Sequence, residues 1–170
     1  MHHVDVKGDW HLVGFAQASG EAGLIGEESD QADIDAWLNG SGEALAASAL
    51  PIAGLSLTID ADMNLTERCD GTPKLTWFDA EGVLVEDVTP INGPLIGTGP
   101  VRYLRPDTIA SWAVPRDGRH GPAILRYDDG DTKIVDAFAL AGEQLVRTVN
   151  VVTDELCFNR AALFYARDEP

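Results

Sequence analysis

From Pro51 onward the chain breaks into short runs rich in Val, Leu, Ile, Thr and aromatic residues, interrupted by turn-forming residues roughly every eight to twelve positions. Runs of that length suit strands, and no helical stretches alternate with them, so a parallel βαβ sheet is not the simplest solution. The predicted strands are Leu55–Ile59, Leu75–Phe78, Val83–Val88, Val101–Leu104, Ile109–Val114, Ala123–Tyr127, Thr132–Leu140, Gln144–Val152 and Leu156–Tyr165. Between them lie turn residues such as Asp60-Ala-Asp62, Asp79-Ala-Glu-Gly82 and Asn92-Gly-Pro94. Asp128-Asp-Gly-Asp131 suits a hairpin because its glycine tolerates positive φ. With Trp10–Phe15 the count is about ten strands. An antiparallel sheet of that size hides its edges by closing or by packing as a sandwich, so the predicted fold is all-β, an antiparallel barrel of about 8–10 strands.

The one helical region lies before these strands. Ser29 or Asp30 can cap a helix that carries Ile34, Trp37 and Leu38 at helical spacing, and Asn39-Gly-Ser-Gly42 ends it. A second, alanine-rich stretch runs from Glu43 to Leu50 and stops before Pro51. The expectation is a helix-turn-helix over about residues 30–50 within a single domain spanning 1–170.

At 170 residues, one domain can bury roughly 70% of the surface its unfolded chain exposes. No apolar run is long enough to span a bilayer. The charge balance, 12 Lys and Arg against 28 Asp and Glu, gives −16, with no cluster of basic residues. Nucleic acid and anionic membranes are therefore poor partners, since both require a cationic face. Two cysteines, Cys69 and Cys157, make neither a zinc site nor a disulfide framework, although one bridge between them is open. No metal and no cofactor is expected. His2 and His3 are weak evidence for a metal at a chain terminus, and no secretion signal is visible, which makes the cytoplasm the default location.

The order of elements resembles the calycin superfamily, the lipocalins and fatty-acid-binding proteins. Lys7-Gly-Asp-Trp10 matches the family's Gly-x-Trp opening, whose Trp closes one end of the barrel. Asp33-Ile-Asp-Ala-Trp-Leu38 and the short helix ending at Pro51 are similar to the helical lid of the fatty-acid-binding proteins. Gly142-Glu-Gln-Leu-Val-Arg147-Thr-Val and the strand through Tyr165 resemble the closing hairpin. There the chain departs from the pattern: fatty-acid-binding proteins hold a carboxylate with Arg-x-Tyr in the last strand, and this chain has Leu163-Phe-Tyr165, with the Tyr and without the Arg. The resemblance implies a cavity for a hydrophobic or amphipathic small molecule beneath a lid.

Along a barrel strand, charged residues that share a face with large apolar ones are the informative cases. Arg147 alternates with Leu145, Val149 and Val151; Asp136 lies between Ile134 and Phe138; Arg160 shares a face with Phe158, Ala162 and Phe164. Two parities satisfy the alternation, and in the other one Val146, Thr148 and Asn150, with Ala161, Leu163 and Tyr165, line the interior. The apolar neighbours of Arg147 favour an inward anion-binding role, with Tyr165 nearby, although simple alternation allows that only one of the two points inward. Trp37, on the lid, is expected to cover the barrel mouth; Tyr103, Trp112 and Arg160 complete the predicted ligand contacts. His11 and His120 are available as acid–base groups, the latter in the glycine-rich turn Asp117–Pro122.

No serine-hydrolase elbow, zinc-protease motif, phosphate loop or dinucleotide fingerprint is present. Three functions stay open: a module that binds a hydrophobic small molecule, a cofactor-independent cyclase or isomerase folding a polyketide-like substrate as in bacterial natural-product pathways, and an interaction protein whose barrel is filled by its own side chains. An enzyme of the second kind needs no motif, because orientation alone lowers a barrier by several kcal/mol.

Overall fold

The computed structural model describes residues 5–21, 31–69, 77–78, 84–85, 92–96, 101–104, 112–115, 122–125, 132–153 and 157–169. The strands are β1 (Gly8–Glu21), β2 (Leu50–Pro51), β3 (Leu55–Ile59), β4 (Asn64–Cys69), β5 (Trp77–Phe78), β6 (Leu84–Val85), β7 (Asn92–Ile96), β8 (Arg102–Leu104), β9 (Trp112–Pro115), β10 (Pro122–Leu125), β11 (Thr132–Ala141), β12 (Gln144–Thr153) and β13 (Cys157–Arg167). Eight of them pair antiparallel in the order β1, β3, β4, β7, β8, β11, β12, β13, and β13 returns to β1, so the sheet closes into a barrel. β2 adds two residues to the flank of β1, while β5–β6 and β9–β10 form separate two-stranded ladders.

The all-β closed barrel is the expected one, but two of its staves are not the expected segments. β4 and β7 belong to the barrel, whereas the predicted runs around Trp77, Leu84, Trp112 and Ile124 supply the separate ladders. Asn92-Gly-Pro94 opens β7 instead of making a turn: Pro94 faces Asn64 of β4, and pairing passes to β8 at Leu95 and Ile96, so the N–H that proline lacks falls at a changeover between neighbours. β1 is longer than predicted. A bulge between Leu12 and Gly14 lets one strand pair with β3 from Gly8 to His11 and with β2 at Gly14 and Phe15, while β13 follows it from Trp10 to Glu21.

The register fixes which side chains point inward. Trp10, Leu12 and Phe15 of β1, Leu55, Leu57 and Ile59 of β3, Phe138 of β11, Leu145, Val149 and Val151 of β12, and Ala161, Leu163 and Tyr165 of β13 form one buried cluster. Trp10 lies at one end of it, fully buried, donating its indole N–H to the Val6 carbonyl at 2.8 Å and covered by the Arg167 guanidinium 4.3 Å above its ring. Arg167 in turn donates to the carbonyls of Lys7 and Asp5, which ties the N-terminal segment to the last strand.

The helical region is α1 (Gln31–Leu38) followed by a 3-10 helix (Glu43–Ser48). It corrects the expectation of a lid: both pieces pack on the outer wall of the barrel. Ile34 and Leu38 bury against Val152 and Phe158, and Leu45 and Ala49 pack on Ala16, Val146, Ala162 and Phe164, all of them outward-facing positions. The physical reason is that β12 and β13 carry apolar residues on both faces, so the outer face needs its own cover as much as the inner one. Residues 145–152 and 161–165 are accordingly buried without interruption.

The cap positions Ser29 and Asp30, the Asp128–Asp131 turn, His2, His3 and His120 lie outside the described residues, as do the side chains of Cys69, Trp77, Trp112 and Cys157.

Candidate functional site

Inside the barrel, four polar side chains interrupt the apolar cluster. Glu67 projects from β4, Asp136 from β11, Arg147 from β12 and Tyr165 from β13. Leu145 faces Tyr165 and Arg147 faces Leu163 across β12–β13, so Arg147 and Tyr165 both point inward. The first parity thus holds on β12 and the second on β13, where Ala161, Leu163 and Tyr165 line the interior and Arg160 faces out, so the restriction to one inward residue of the two does not apply.

The Arg147 guanidinium is bound on two sides. Its Nε donates to the Asp136 Oδ1 at 3.0 Å and Oδ2 at 3.2 Å, its Nη2 donates to Asp136 Oδ2 at 2.5 Å, and its Nη1 donates to Glu67 Oε2 at 3.1 Å. Phe138 lies under it, with its ring centroid 5.2 Å from the guanidinium carbon. The Arg147 and Asp136 side chains expose 0% of their surface and Glu67 2%, so the whole group is withdrawn from water. Burial acts against the Arg147 charge, but the Asp136 and Glu67 carboxylates outweigh it and hold the guanidinium well above its ordinary range. A fork of this geometry is the arrangement in which an arginine satisfies a buried carboxylate best.

Tyr165 stands beside this group without belonging to it. Its ring packs in the core with 0% exposure, and its hydroxyl is buried with no hydrogen-bond partner among the described residues. Arg147 lies beside it and acts on its oxygen, but a guanidinium only donates, so the Tyr165 O–H is left without an acceptor among the described residues. Burial, the largest influence, drives its acidity far below that of a free phenol, against the pull of Arg147, so Tyr165 keeps its proton and is a donor at every ordinary pH. A buried hydroxyl left unpaired costs about 1–3 kcal/mol, and such groups are rare enough in native proteins to require a reason.

Of the other predicted contacts, Arg160, Trp37 and Tyr103 fall on the outer wall. Arg160 points outward, donates from Nε to Asn150 Oδ1 at 2.6 Å and from Nη2 to the Trp37 carbonyl at 2.8 Å, and lies over the Trp37 ring at 4.3 Å. Trp37 also stacks on Phe158 at 5.6 Å and donates its indole N–H to the Asn159 carbonyl. Asn150 donates to the carbonyls of Leu38 and Gly40, and Thr148 Oγ1 accepts the Gly42 N–H. Trp37 and Arg160 thus come together as a clasp that fixes α1 to the wall, on the other side of the sheet from Arg147. Tyr103 is half-buried on the outer wall, beside a small pocket that it lines with Leu38, Gly40, Val135 and Ala137. Trp112 belongs to β9, with its side chain outside the described residues. His11 pairs with Asp168 on the surface.

Glu67 was not singled out by the sequence. The signal for it is the one that marks Arg147: in Asn64–Cys69 it follows Leu65 on the same face, a charge where alternation calls for an apolar residue. Among the described residues no group of three or more His, Cys, Asp or Glu could hold a metal, and no helix is long and apolar enough to cross a membrane.

The site and fold define a closed eight-stranded antiparallel barrel with a buried ionic group inside and a phenol whose proton meets no acceptor among the described residues. Compared with known proteins, the chain matches no family model, no curated protein and no solved structure.

Proposed function

We propose that this is a calycin-type barrel that binds a hydrophobic or amphipathic small molecule in its interior, with Tyr165 as the polar anchor. The observation that carries the reading is the Tyr165 hydroxyl, a donor buried in an apolar barrel and unmet by any described group. Apolar walls supply affinity without orientation, and one fixed donor decides which end of a ligand goes in. The role of Trp10 at the barrel end, beneath Arg167 and anchored to Val6, supports the calycin kinship suggested by Gly8-Asp-Trp10.

A second reading is favoured by the meeting of a guanidinium, two carboxylates and a phenol in one dry interior. In a cofactor-independent cyclase or isomerase, Tyr165 would hydrogen-bond an oxygen that becomes negative as the substrate rearranges, a service that is worth more in a water-free site. Its retained proton suits that donor role better than proton transfer.

Calorimetric titration of 2-acetonaphthalene, an apolar ring bearing one carbonyl, tests the binding reading. We expect saturable one-to-one binding, and a loss of roughly fivefold in Tyr165→Phe, the worth of a neutral hydrogen bond of about 1 kcal/mol. Absence of saturable binding to the wild-type protein overturns it.

A further inference from the structure

We infer that the interior selects ligands whose polar end is a neutral hydrogen-bond acceptor, a carbonyl above all, and rejects carboxylates; the inference rests on the binding reading and names its ligand class.

Every charged side chain that faces inward among the described residues is engaged. Arg147, the cation beside Tyr165, is forked by Asp136 and bridged to Glu67. Arg102 follows on the same inward row, opposite Phe138 across β8–β11, and it too has an interaction partner. A ligand carboxylate entering beside Tyr165 would meet a guanidinium already held by two carboxylates in a site without water to screen them. It would lose its hydration and face two like charges, with the Tyr165 O–H alone as the neutral donor left to receive it among the described residues. A neutral carbonyl loses far less hydration and needs one donor, which is what Tyr165 offers. A ligand ammonium has no lone pair to receive that proton, so the phenol would again stay without an acceptor.

This separates the chain from the pattern that its last strand half matches. Where an arginine two residues before the Tyr would add an inward cation, Leu163 stands, packed in the apolar cluster and opposite Arg147.

Four probes of one shape test the inference by calorimetry at neutral pH: 2-acetonaphthalene, 2-isopropenylnaphthalene, which lacks the acceptor, 2-naphthoate, and 2-naphthylmethylammonium. The ketone should bind roughly fivefold tighter than the alkene, and Tyr165→Phe should bring the two together. Naphthoate and the ammonium should each bind at least about tenfold more weakly than the ketone. In Glu67→Gln, which removes one of the two like charges and keeps the shape, naphthoate should gain relative to the ketone. Naphthoate or the ammonium binding as tightly as the ketone overturns the inference and leaves the binding reading standing. Failure of all four probes to bind overturns both.

Discussion

Replacing Arg147 by Met removes the cation from the barrel interior and keeps most of the side-chain volume. Three N–H donors are then lost to Asp136 and Glu67, whose side chains expose 0% and 2% of their surface, so two carboxylates stay behind in a dry core. Breaking a buried pair in this way costs about 3–5 kcal/mol, because the partner's lost solvation is no longer offset. For a domain whose whole stability is roughly 5–15 kcal/mol, with a urea dependence near 2 kcal/mol per molar, the unfolding midpoint should fall by about 1.5–2.5 M. Arg147→Lys, which keeps the charge and loses the fork, should fall between. The triple replacement Arg147→Met, Asp136→Leu and Glu67→Leu should recover most of the loss, since an apolar filling of similar volume is commonly as stable as the ion cluster it replaces. Equilibrium urea unfolding followed by far-ultraviolet circular dichroism measures all four proteins. A cost below about 1 kcal/mol for Arg147→Met, or a triple variant no more stable than the single one, would refute the view that charge, and not packing, is what Arg147 supplies there.

Other consequences concern the wall, the turn and the phenol. A Cβ on Gly42 would lie 2.6 Å from the Ala162 Cβ and 2.9 Å from Thr148 Oγ1, both on short rigid side chains, so Gly42→Ala should cost about 1–3 kcal/mol in the same assay; a cost near zero would mean the loop shifts freely off the wall. Trp37→Ala should lower the melting temperature through the lost clasp and leave 2-acetonaphthalene affinity unchanged; a large affinity loss would place Trp37 at the ligand after all. Hydrogen bonds from the backbone N–H and side-chain amide of Asn64 hold the Asp60 carboxyl below its ordinary value of 3.8, so Asp60 adds stability above that pH and loses it as the pH falls through the lowered value; in Asn64→Ala a carbon-13 titration should move Asp60 back up. Tyr165 behaves in the opposite sense: its acidity is suppressed by burial, so its contribution is complete below 10.0 and declines as the pH rises further, and the decline of stability above that point should be shallower in Tyr165→Phe.

The barrel is legible because its strands are short and punctuated, yet the segments missed are those in which a buried charge or barrel closure overrides pattern. β4 reads Asn-Leu-Thr-Glu-Arg-Cys, and its inward face carries a charge directly after Leu65. A buried Glu67 makes the strand look like a polar loop, because periodicity counts only apolar residues as inward. β7 was hidden by Asn92-Gly-Pro94, whose turn chemistry is real but is overridden where the narrow seam between β4 and β8 has to close. Local signals fail where a charge is paired inside the barrel or a strand completes it, and both causes are tertiary.

The ambiguity of strand parity has a related origin. Alternation distinguishes the two faces of a strand when one is wet, and β12 and β13 have no wet face over residues 145–152 and 161–165. Leu145, Val149 and Val151 look inward to the barrel core, while Val146 and Val152 look outward to the helical segment, so the strand reads as almost uniformly apolar. Each face then carries its own polar residues, Arg147 on one and Thr148 and Asn150 on the other, and each set is paired within its own layer. The outer set holds a helix with neutral and singly charged hydrogen bonds at the edge of solvent. The inner set places an ion cluster where apolar side chains would serve stability as well, beside a phenol whose proton meets no acceptor among the described residues. A chain that only needed to close its barrel has no physical reason to place that group inside it. The inner layer is therefore where a ligand should be sought, and the outer wall, with its Trp and Arg, is where the fold is fastened.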